Sequence, residues 1–203
     1  MDLRGRSIYN AYADQYECIF IHIPKTAGTS IAKALFNQTS RHVPWYEYEK
    51  ADSAKFRKYF KFAFVRNPWD RLVSTYFFLK NGGMNETDRK WAEENIAPYA
   101  GFEEFIENWF TESNTWEWVH FRPQYYFICD KQCNIRMDFI GRYENLVNDF
   151  KVVAARLGLQ ATLQPGNLSP HRHYTTYYSN KTYDIVSRIY QKDIKLFNYK
   201  GLV

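Results

Sequence analysis

The chain has 203 residues and a formal net charge of +5, and this length predicts one domain that can bury a core without disulfides or metals. Hydrophobic residues make up 45% and charged residues 24%, which excludes a disordered or fibrous chain. The mild positive charge suits a nucleotide, another polyanionic ligand or a nucleic acid equally well. Aromatic residues reach 19%, so we expect most of them in the core and some on the surface, where they can stack on sugars or bases.

The first two predicted strands are each followed by a turn and a helix. Cys18–Ile23 is an almost unbroken apolar run of strand-forming residues, as in a strand that is buried on both faces. It ends at Pro24, and apolar residues at helical spacing begin shortly afterwards. The second strand is predicted at Lys61–Val65, with Asn67 as the cap of the next helix and Pro68 in its first turn.

The later part of the chain repeats this pattern after an interruption. A third strand is predicted at Asp138–Gly141, its helix ends at Gly158, and a last helix covers about residues 182–198. Residues of about 81–136 contain helical pieces and many Trp and Tyr but no convincing parallel strand, so we interpret them as an insertion packed over one end of the sheet. The alternation of strands and helices predicts an α/β sandwich with a mostly parallel sheet, in a single domain of residues 1–203.

Cysteine usage and hydropathy favour a reducing compartment. Cys18, Cys129 and Cys133 are too few for a disulfide framework, and the alternative is a local disulfide or metal role for the last two. The first residues are polar, without the apolar core of a signal peptide. No apolar stretch approaches the roughly 20 residues that cross a bilayer. We therefore expect a cytoplasmic protein without a membrane span.

The turn after the first strand has the residue types that hold a phosphate. Lys25 supplies a mobile positive charge, and Thr26, Thr29 and Ser30 supply hydroxyl donors. Gly28 lets the main chain approach closely, and the helix start presents unpaired N–H groups. The spacing differs from the G-x-x-x-x-G-K-[ST] loop because the lysine precedes the glycine. A capped helix start without a ligand is the alternative. The predicted phosphate turn consists of Lys25, Thr26, Ala27, Gly28, Thr29 and Ser30.

A second cluster follows the second strand. Arg66 comes directly after that strand and Ser74 lies on the next helix. Ligands of open α/β sheets bind at the carboxyl ends of the strands, so we expect Arg66 and Lys25 to converge there. A guanidinium group can take a phosphate with two hydrogen bonds. The alternative is that Arg66 pairs with Asp70 and that Ser74 is an ordinary helix residue.

The two clusters together resemble a known family. IFIHIPKTAGTS and FAFVRNPWDRLVS resemble the cofactor segments of the sulfotransferases that use 3′-phosphoadenosine 5′-phosphosulfate (PAPS), in particular the carbohydrate branch that includes the Golgi chondroitin 4-O- and heparan 2-O-enzymes and shorter bacterial relatives. HFRPQYYFI, DFIGRYENL and DIKLFNY resemble further blocks of that branch. The resemblance covers most of the chain from Cys18 to Tyr199, and it implies a P-loop-like three-layer sandwich.

The resemblance also implies roles for individual residues. Residues 25–30 would hold the 5′-phosphosulfate of PAPS, and Arg66 and Ser74 would hold the 3′-phosphate, which remains on the product PAP. The loop of about residues 164–181 would close over the adenosine, with Arg172 and His173 as cationic donors. A solvated loop is the alternative. The resemblance implies no metal.

Transfer of a sulfuryl group to a hydroxyl needs a base that removes the hydroxyl proton. Histidine is the first candidate because its ordinary pKa is near neutrality. His42 is the first candidate for the base. Similar relatives carry a histidine before the arginine-bearing strand, and the heparan 2-O-enzymes use it as the base. His120 opens the block HFRPQ and is the second candidate. Glu47 or another group stays open. His22, within the first predicted strand, is expected to be a core histidine.

The predicted function is transfer of a sulfuryl group from PAPS to a hydroxyl of a carbohydrate or glycoconjugate. The candidate acceptor surface is the insertion, with more of its aromatic residues in the core than in contact with sugar; those considered are Trp91, Trp109, Trp116, Trp118 and Tyr125. The alternatives are a nucleotide-dependent phosphotransferase or kinase, a nucleic-acid-binding module, and a non-catalytic relative that only binds the nucleotide. The missing Walker spacing argues against the first and the lack of clustered Lys and Arg against the second.

Overall fold

The computed structural model of the protein describes residues 8–163 and 172–201. Within them, the strands are β1 (Cys18–Ile21), β2 (Phe60–Val65) and β3 (Phe139–Arg142). The α-helices are α1 (Ala11–Gln15), α2 (Gly28–Phe36), α3 (Trp45–Ala51), α4 (Ser53–Lys58), α5 (Pro68–Lys80), α6 (Glu86–Asn95), α7 (Phe102–Asn108), α8 (Tyr125–Ile128), α9 (Leu146–Arg156), α10 (Asn180–Ile189) and α11 (Gln191–Leu196). Short 3₁₀ segments lie at Asn114–Trp116, Tyr143–Asn145 and Tyr174–Tyr177. The described chain is a mixed α/β structure, as predicted.

The described residues divide into two compact units, each built from two stretches of chain. The first unit comprises residues 8–65 and 124–163, and the second comprises residues 66–123 and 172–201. The helical pieces predicted for the insertion are present as α6 and α7, in the second unit, whereas residues 124–136 belong to the first. A single domain over the whole chain stays a prediction.

The first unit contains, among the described residues, one sheet of three parallel strands in the order β1–β2–β3. The pairing of β1 with β2 runs from Cys18 opposite Phe60 to Ile21 opposite Ala63. All four residues of β1 are buried, because a parallel strand that is covered on both faces needs apolar side chains on both. The three predicted strands are confirmed, but β1 ends at Ile21. The prediction that His22 lies within this strand is therefore wrong: the chain leaves the ladder there, although His22 remains buried.

Helix α5, which opens the second unit, begins where the sequence predicts it. The Asn67 side chain accepts hydrogen bonds from the main-chain N–H groups of Trp69 and Asp70, and Pro68 occupies the first helical position. These contacts satisfy donors that a helix start leaves without intrahelical acceptors. The helix ends at Lys80, two residues before the positive φ of Gly82.

The predicted last helix is two helices, α10 and α11, which meet at Tyr190. This residue leaves the helical conformation with φ −96° and ψ 20°. Its ring is 1% exposed, and its hydroxyl donates to the Phe121 carbonyl at 2.6 Å. The prediction of one continuous helix is wrong, because a contact distant in the sequence holds Tyr190 where the helix breaks.

An aromatic core fills the second unit. Phe105 stacks on Trp109 with 5.0 Å between ring centroids, and both pack against the fully buried Phe121. Tyr76 of α5 joins the same group through Phe105. The high aromatic content is therefore used mainly for packing, which agrees with the expectation from composition.

No helix within residues 8–163 and 172–201 combines the length and the apolar character that a bilayer span requires. The predicted cytoplasmic location stays a prediction.

Candidate functional site

The turn before α2 has an uncommon backbone. Lys25 and Ala27 both have φ of +66°, whereas Thr26 between them does not have a positive φ. A left-handed residue that is not glycine costs on the order of 1–2 kcal/mol, and such strain clusters at ligand-binding and catalytic sites. Alternation of left-handed and other residues turns successive N–H groups toward one another and forms a concave anion site.

Thr26 holds this turn together. Its hydroxyl donates to the Ile23 carbonyl at 2.9 Å, and the residue is fully buried. A hydroxyl has one proton to donate. The prediction that the Thr26 hydroxyl donates to a phosphate therefore does not fit this geometry, and its predicted role rests on its main-chain N–H. Thr29 is exposed and Ser30 is half-buried at the start of α2.

The start of α2 differs from the start of α5. Ala27 is the N-cap residue of α2 and makes no side-chain cap, whereas Asn67 caps α5 with its side chain. The first N–H groups of α2 consequently lack a side-chain cap, and the helix dipole adds positive potential at the same place. Lys25 is half-buried beside them. An anion fits this end of α2 better than it fits the capped end of α5.

Gly28 lies against the imidazole ring of His22. A Cβ atom at Gly28 would overlap Cδ2 and Nε2 of that ring and would stand 2.6 Å from Cγ. Gly28 is the first residue of α2 and does not have a positive φ. The position therefore requires glycine for space beside His22, a reason that the sequence does not reveal.

The imidazole ring of His42 contacts both the main chain and the ring of His22. His42 Nδ1 is 2.9 Å from the His22 carbonyl oxygen, and the two rings lie 4.3 Å apart at 58°. Because a carbonyl oxygen only accepts, His42 Nδ1 is the donor, and the neutral ring then carries its lone pair on Nε2. His42 is half-buried. Ser40 Oγ lies 2.7 Å from His22 Nδ1, and sequence reasoning did not single out this serine.

Arg66 and Asp70 form an ion pair at the start of α5. Arg66 Nε donates to Asp70 Oδ2 at 2.7 Å, and Arg66 is 6% exposed. This is the pairing that the sequence left as the alternative. Ser74 is buried one helical turn beyond Asp70, on the same face. The bond through Nε fixes the plane of the guanidinium group.

The segment after residue 171 packs beside α5. The amide of Asn67 donates to the Tyr174 hydroxyl at 3.4 Å, and the Tyr178 hydroxyl donates to the Trp69 carbonyl at 2.9 Å. Burial, and then the neighbouring Tyr190 and Asp70, raise the pKa of Tyr178 well above its ordinary value, so its hydroxyl stays protonated and keeps that bond.

The two cationic residues predicted in the lid are exposed. The Arg172 N–H donates to the Tyr177 hydroxyl at 3.1 Å, and His173 Nδ1 lies 2.8 Å from Thr175 Oγ1. These contacts are local, and both residues are exposed in the second unit. Residues 164–171 of the predicted lid lie outside the described residues. The lid stays a prediction.

His120 lies in the aromatic part of the second unit. It is 9% exposed, and its ring packs against Phe78 at 5.1 Å and beside Trp118. Its carbonyl and that of Arg122 accept hydrogen bonds from the buried guanidinium of Arg71, at 3.1 and 2.9 Å. The sequence analysis gave Arg71 no role. Its burial could have been read from its spacing to Thr75 and Phe78, because residues at this spacing share one face of a helix.

The rings of the candidate acceptor surface differ in burial. Trp109 belongs to the core, and the half-buried Trp91 packs on it at 5.3 Å and on the half-buried Trp118 at 5.2 Å. The expectation that more of these rings lie in the core than contact a sugar stays a prediction. Trp116 is 38% exposed in the second unit, and Tyr125 is half-buried in the first.

Among the residues that the structure describes, cysteines and potential metal ligands form no further site. Cys18, Cys129 and Cys133 are all free thiols, so the alternative of a local disulfide does not hold. Burial raises the pKa of Cys18 to about 12, which keeps this thiol protonated and inert. Within the described ranges, no group of three or more His, Cys, Asp or Glu side chains forms a cluster that could hold a metal ion.

Comparison of the sequence with known proteins finds relatives. Residues 11–200 match the model of the Sulfotransferase family. Carbohydrate sulfotransferase 14 of Danio rerio is 34% identical over 118 residues, which cover 51% of this chain and 31% of the relative. An uncharacterized protein of Archaeoglobus fulgidus is 32% identical over 122 residues, 59% of this chain and 84% of the relative.

Carbohydrate sulfotransferase 11 of Rattus norvegicus is 23% identical over 232 aligned positions, which cover 92% of this chain and 65% of the relative. The chain thus spans about a third of the Danio rerio protein and about two thirds of the rat protein.

Proposed function

We propose that this chain, which belongs to the sulfotransferase family, transfers a sulfuryl group from PAPS to a hydroxyl of a carbohydrate or glycoconjugate. The matched relatives named as carbohydrate sulfotransferases support the acceptor class. We further propose a P-loop-like arrangement, in which the donor binds at the carboxyl ends of the parallel strands.

The observation that carries the proposal is the turn before α2. Left-handed residues at Lys25 and Ala27 are followed by a helix start without a side-chain cap. This backbone suits an anion. We assign the 5′-phosphosulfate to residues 25–30, held by main-chain N–H groups, the Lys25 ammonium and the hydroxyls of Thr29 and Ser30.

The 3′-phosphate is assigned to Arg66 and Ser74 of the second unit. Asp70 fixes the Arg66 guanidinium through Nε, and the terminal nitrogens have the planar geometry that matches a phosphate. Ser74, one turn along the same face, supplies a hydroxyl. Arg172 and His173 remain the proposed cationic donors of a lid. The two assignments lie in different units of the chain and are tested separately.

The proposed reaction is an in-line displacement at sulfur. A bond forms between the acceptor oxygen and sulfur, and the bond between sulfur and the bridging phosphate oxygen breaks, with its electron pair remaining on PAP. Lys25 and the turn N–H groups stabilise the growing charge on that phosphate. The acceptor proton goes to a base, which we assign to His42 Nε2, with His120 as the second candidate.

Binding of PAP compared with that of ATP–Mg²⁺ tests the function. Calorimetry should give micromolar or tighter binding of PAP and much weaker binding of ATP–Mg²⁺, because the proposed site holds a 3′-phosphate. Transfer of labelled sulfate from PAPS to a panel of saccharides then identifies the acceptor. Preference for ATP–Mg²⁺, or binding without transfer to any saccharide, would contradict the proposal.

Arg66→Lys tests the assignment of the 3′-phosphate. The variant keeps the charge but loses the planar fork, so the Kd for PAP should rise about 10- to 100-fold. The Kd for AMP, which lacks the 3′-phosphate, should not change. Arg188→Lys on α10, an exposed arginine of the same unit, is the matched control. Equal losses for PAP and AMP would remove Arg66 from the 3′-phosphate site.

A further inference from the structure

His22 is the residue in the first unit through which the predicted phosphate turn and His42 are connected. Its ring is 5% exposed and stacks at 11° on the ring of Phe20 in β1. On another side it fills the space that a side chain at Gly28 would need. The position of the α2 start therefore depends on a ring anchored next to the end of the central sheet.

The same residue also holds His42. The His22 carbonyl accepts from His42 Nδ1 at 2.9 Å, and the His42 ring lies against the His22 ring at 4.3 Å. Ser40 Oγ at 2.7 Å from His22 Nδ1 fixes the rotation of the ring. One buried side chain thus contacts the helix start at Gly28, the chain before His42 and the ring of His42 itself.

We infer that His22 is a positioning residue, whose imidazole ring sets both the place of the α2 start that receives the donor and the orientation of the proposed base. The inference rests on the proposed function for the identity of the donor and the base. It gives Gly28 a role different from close approach to a phosphate: the missing side chain makes room for His22.

This role makes a specific prediction for a double-mutant cycle. Gly28→Ala should weaken PAP binding about tenfold or more, because the new methyl group pushes the ring and the helix start apart. In His22→Ala/Gly28→Ala the space for the methyl group exists. Its Kd for PAP should therefore return to within about threefold of the value for His22→Ala alone.

A second measurement concerns the base. His22→Ala leaves the His22 carbonyl in place but removes the ring against which His42 packs. Its kcat for sulfate transfer should fall about tenfold, while the KM for the acceptor changes by less than about threefold, because misplacement of a reacting group acts on the chemical step. A purely structural role would lower the unfolding midpoint and leave kcat per folded molecule unchanged.

Gly101→Ala is the matched control, because a Cβ there meets no atom within 4 Å and Gly101 has no positive φ. It should bind PAP as the wild type does. If the wild-type chain does not bind PAP, the proposed function fails and the inference fails with it. If the wild type binds PAP and Gly28→Ala weakens binding by the same factor with and without the His22 ring, the methyl group itself obstructs the donor, and the inference alone is overturned. Folding of each variant is checked by its circular dichroism and unfolding midpoint.

Discussion

Lys25→Met is expected to lower kcat for sulfate transfer by about 10²–10³-fold, the loss typical when a donor to developing transition-state charge is removed. Lys25 lies in the strained turn beside the start of α2, which has no side-chain cap. In the proposed function its ammonium group adds to the positive potential of this helix end. Methionine keeps the unbranched stem and faces the same backbone cost at a positive φ. The unfolding midpoint should therefore change little.

Binding of PAP by the same variant should weaken much less than turnover, because the charge on the leaving phosphate grows in the transition state. Lys33→Met on the same helix is the matched control: Lys33 is exposed and lies in the last turn of α2, so its removal should leave kcat within about twofold, as a distant exposed charge is largely screened. Wild-type turnover in Lys25→Met would remove Lys25 from the mechanism.

The parts of the fold that follow from local signals were predictable. The strands at Cys18–Ile21 and Phe60–Val65 are apolar runs with strand propensity, and the start of α5 has the Asn-Pro pattern of a capped helix. The resemblance pointed to residues 25–30, Arg66 and Ser74 as candidate site residues.

The parts that depend on distant contacts were not predictable. The break at Tyr190 is held by Phe121, which lies far away in the sequence. The overlap that a side chain at Gly28 would meet comes from His22, across the turn. Thr26 illustrates a finer limit: a threonine in a phosphate turn can face the ligand or the main chain, and only the bond to Ile23 shows which. Sequence patterns give the residue types of a site, whereas side-chain direction is decided by packing.

The surroundings of the side chains also distinguish the two candidate bases, which the sequence pattern alone does not. The His42 ring has its Nδ1 proton fixed by a carbonyl at 2.9 Å, so Nε2 is the nitrogen with the lone pair in the neutral form. His120 packs between Phe78 and Trp118, and its main chain is an anchor for Arg71. The first arrangement suits proton transfer, and the second suits stability.

His42→Asn is accordingly expected to lower kcat by about 10²–10⁴-fold, the usual contribution of a general base. The asparagine amide can still donate to the His22 carbonyl, so the unfolding midpoint and the Kd for PAP should stay close to those of the wild type. His120→Asn should show the opposite pattern: an unfolding midpoint lower by a few degrees, since about 1 kcal/mol shifts it by about 2–4 °C in a chain of this size, and kcat within about tenfold.

Steady-state transfer rates and thermal unfolding, measured side by side on the two variants, distinguish a proton acceptor from a packing residue. A large loss of kcat in His120→Asn with none in His42→Asn would reverse the assignment. If both variants turn over at the wild-type rate, neither histidine accepts the proton. A carboxylate such as Glu47, which lies in the first turn of α3, then becomes the residue to substitute. The hydrogen bond from His42 to the His22 carbonyl would in that case only stabilise the packing around His22.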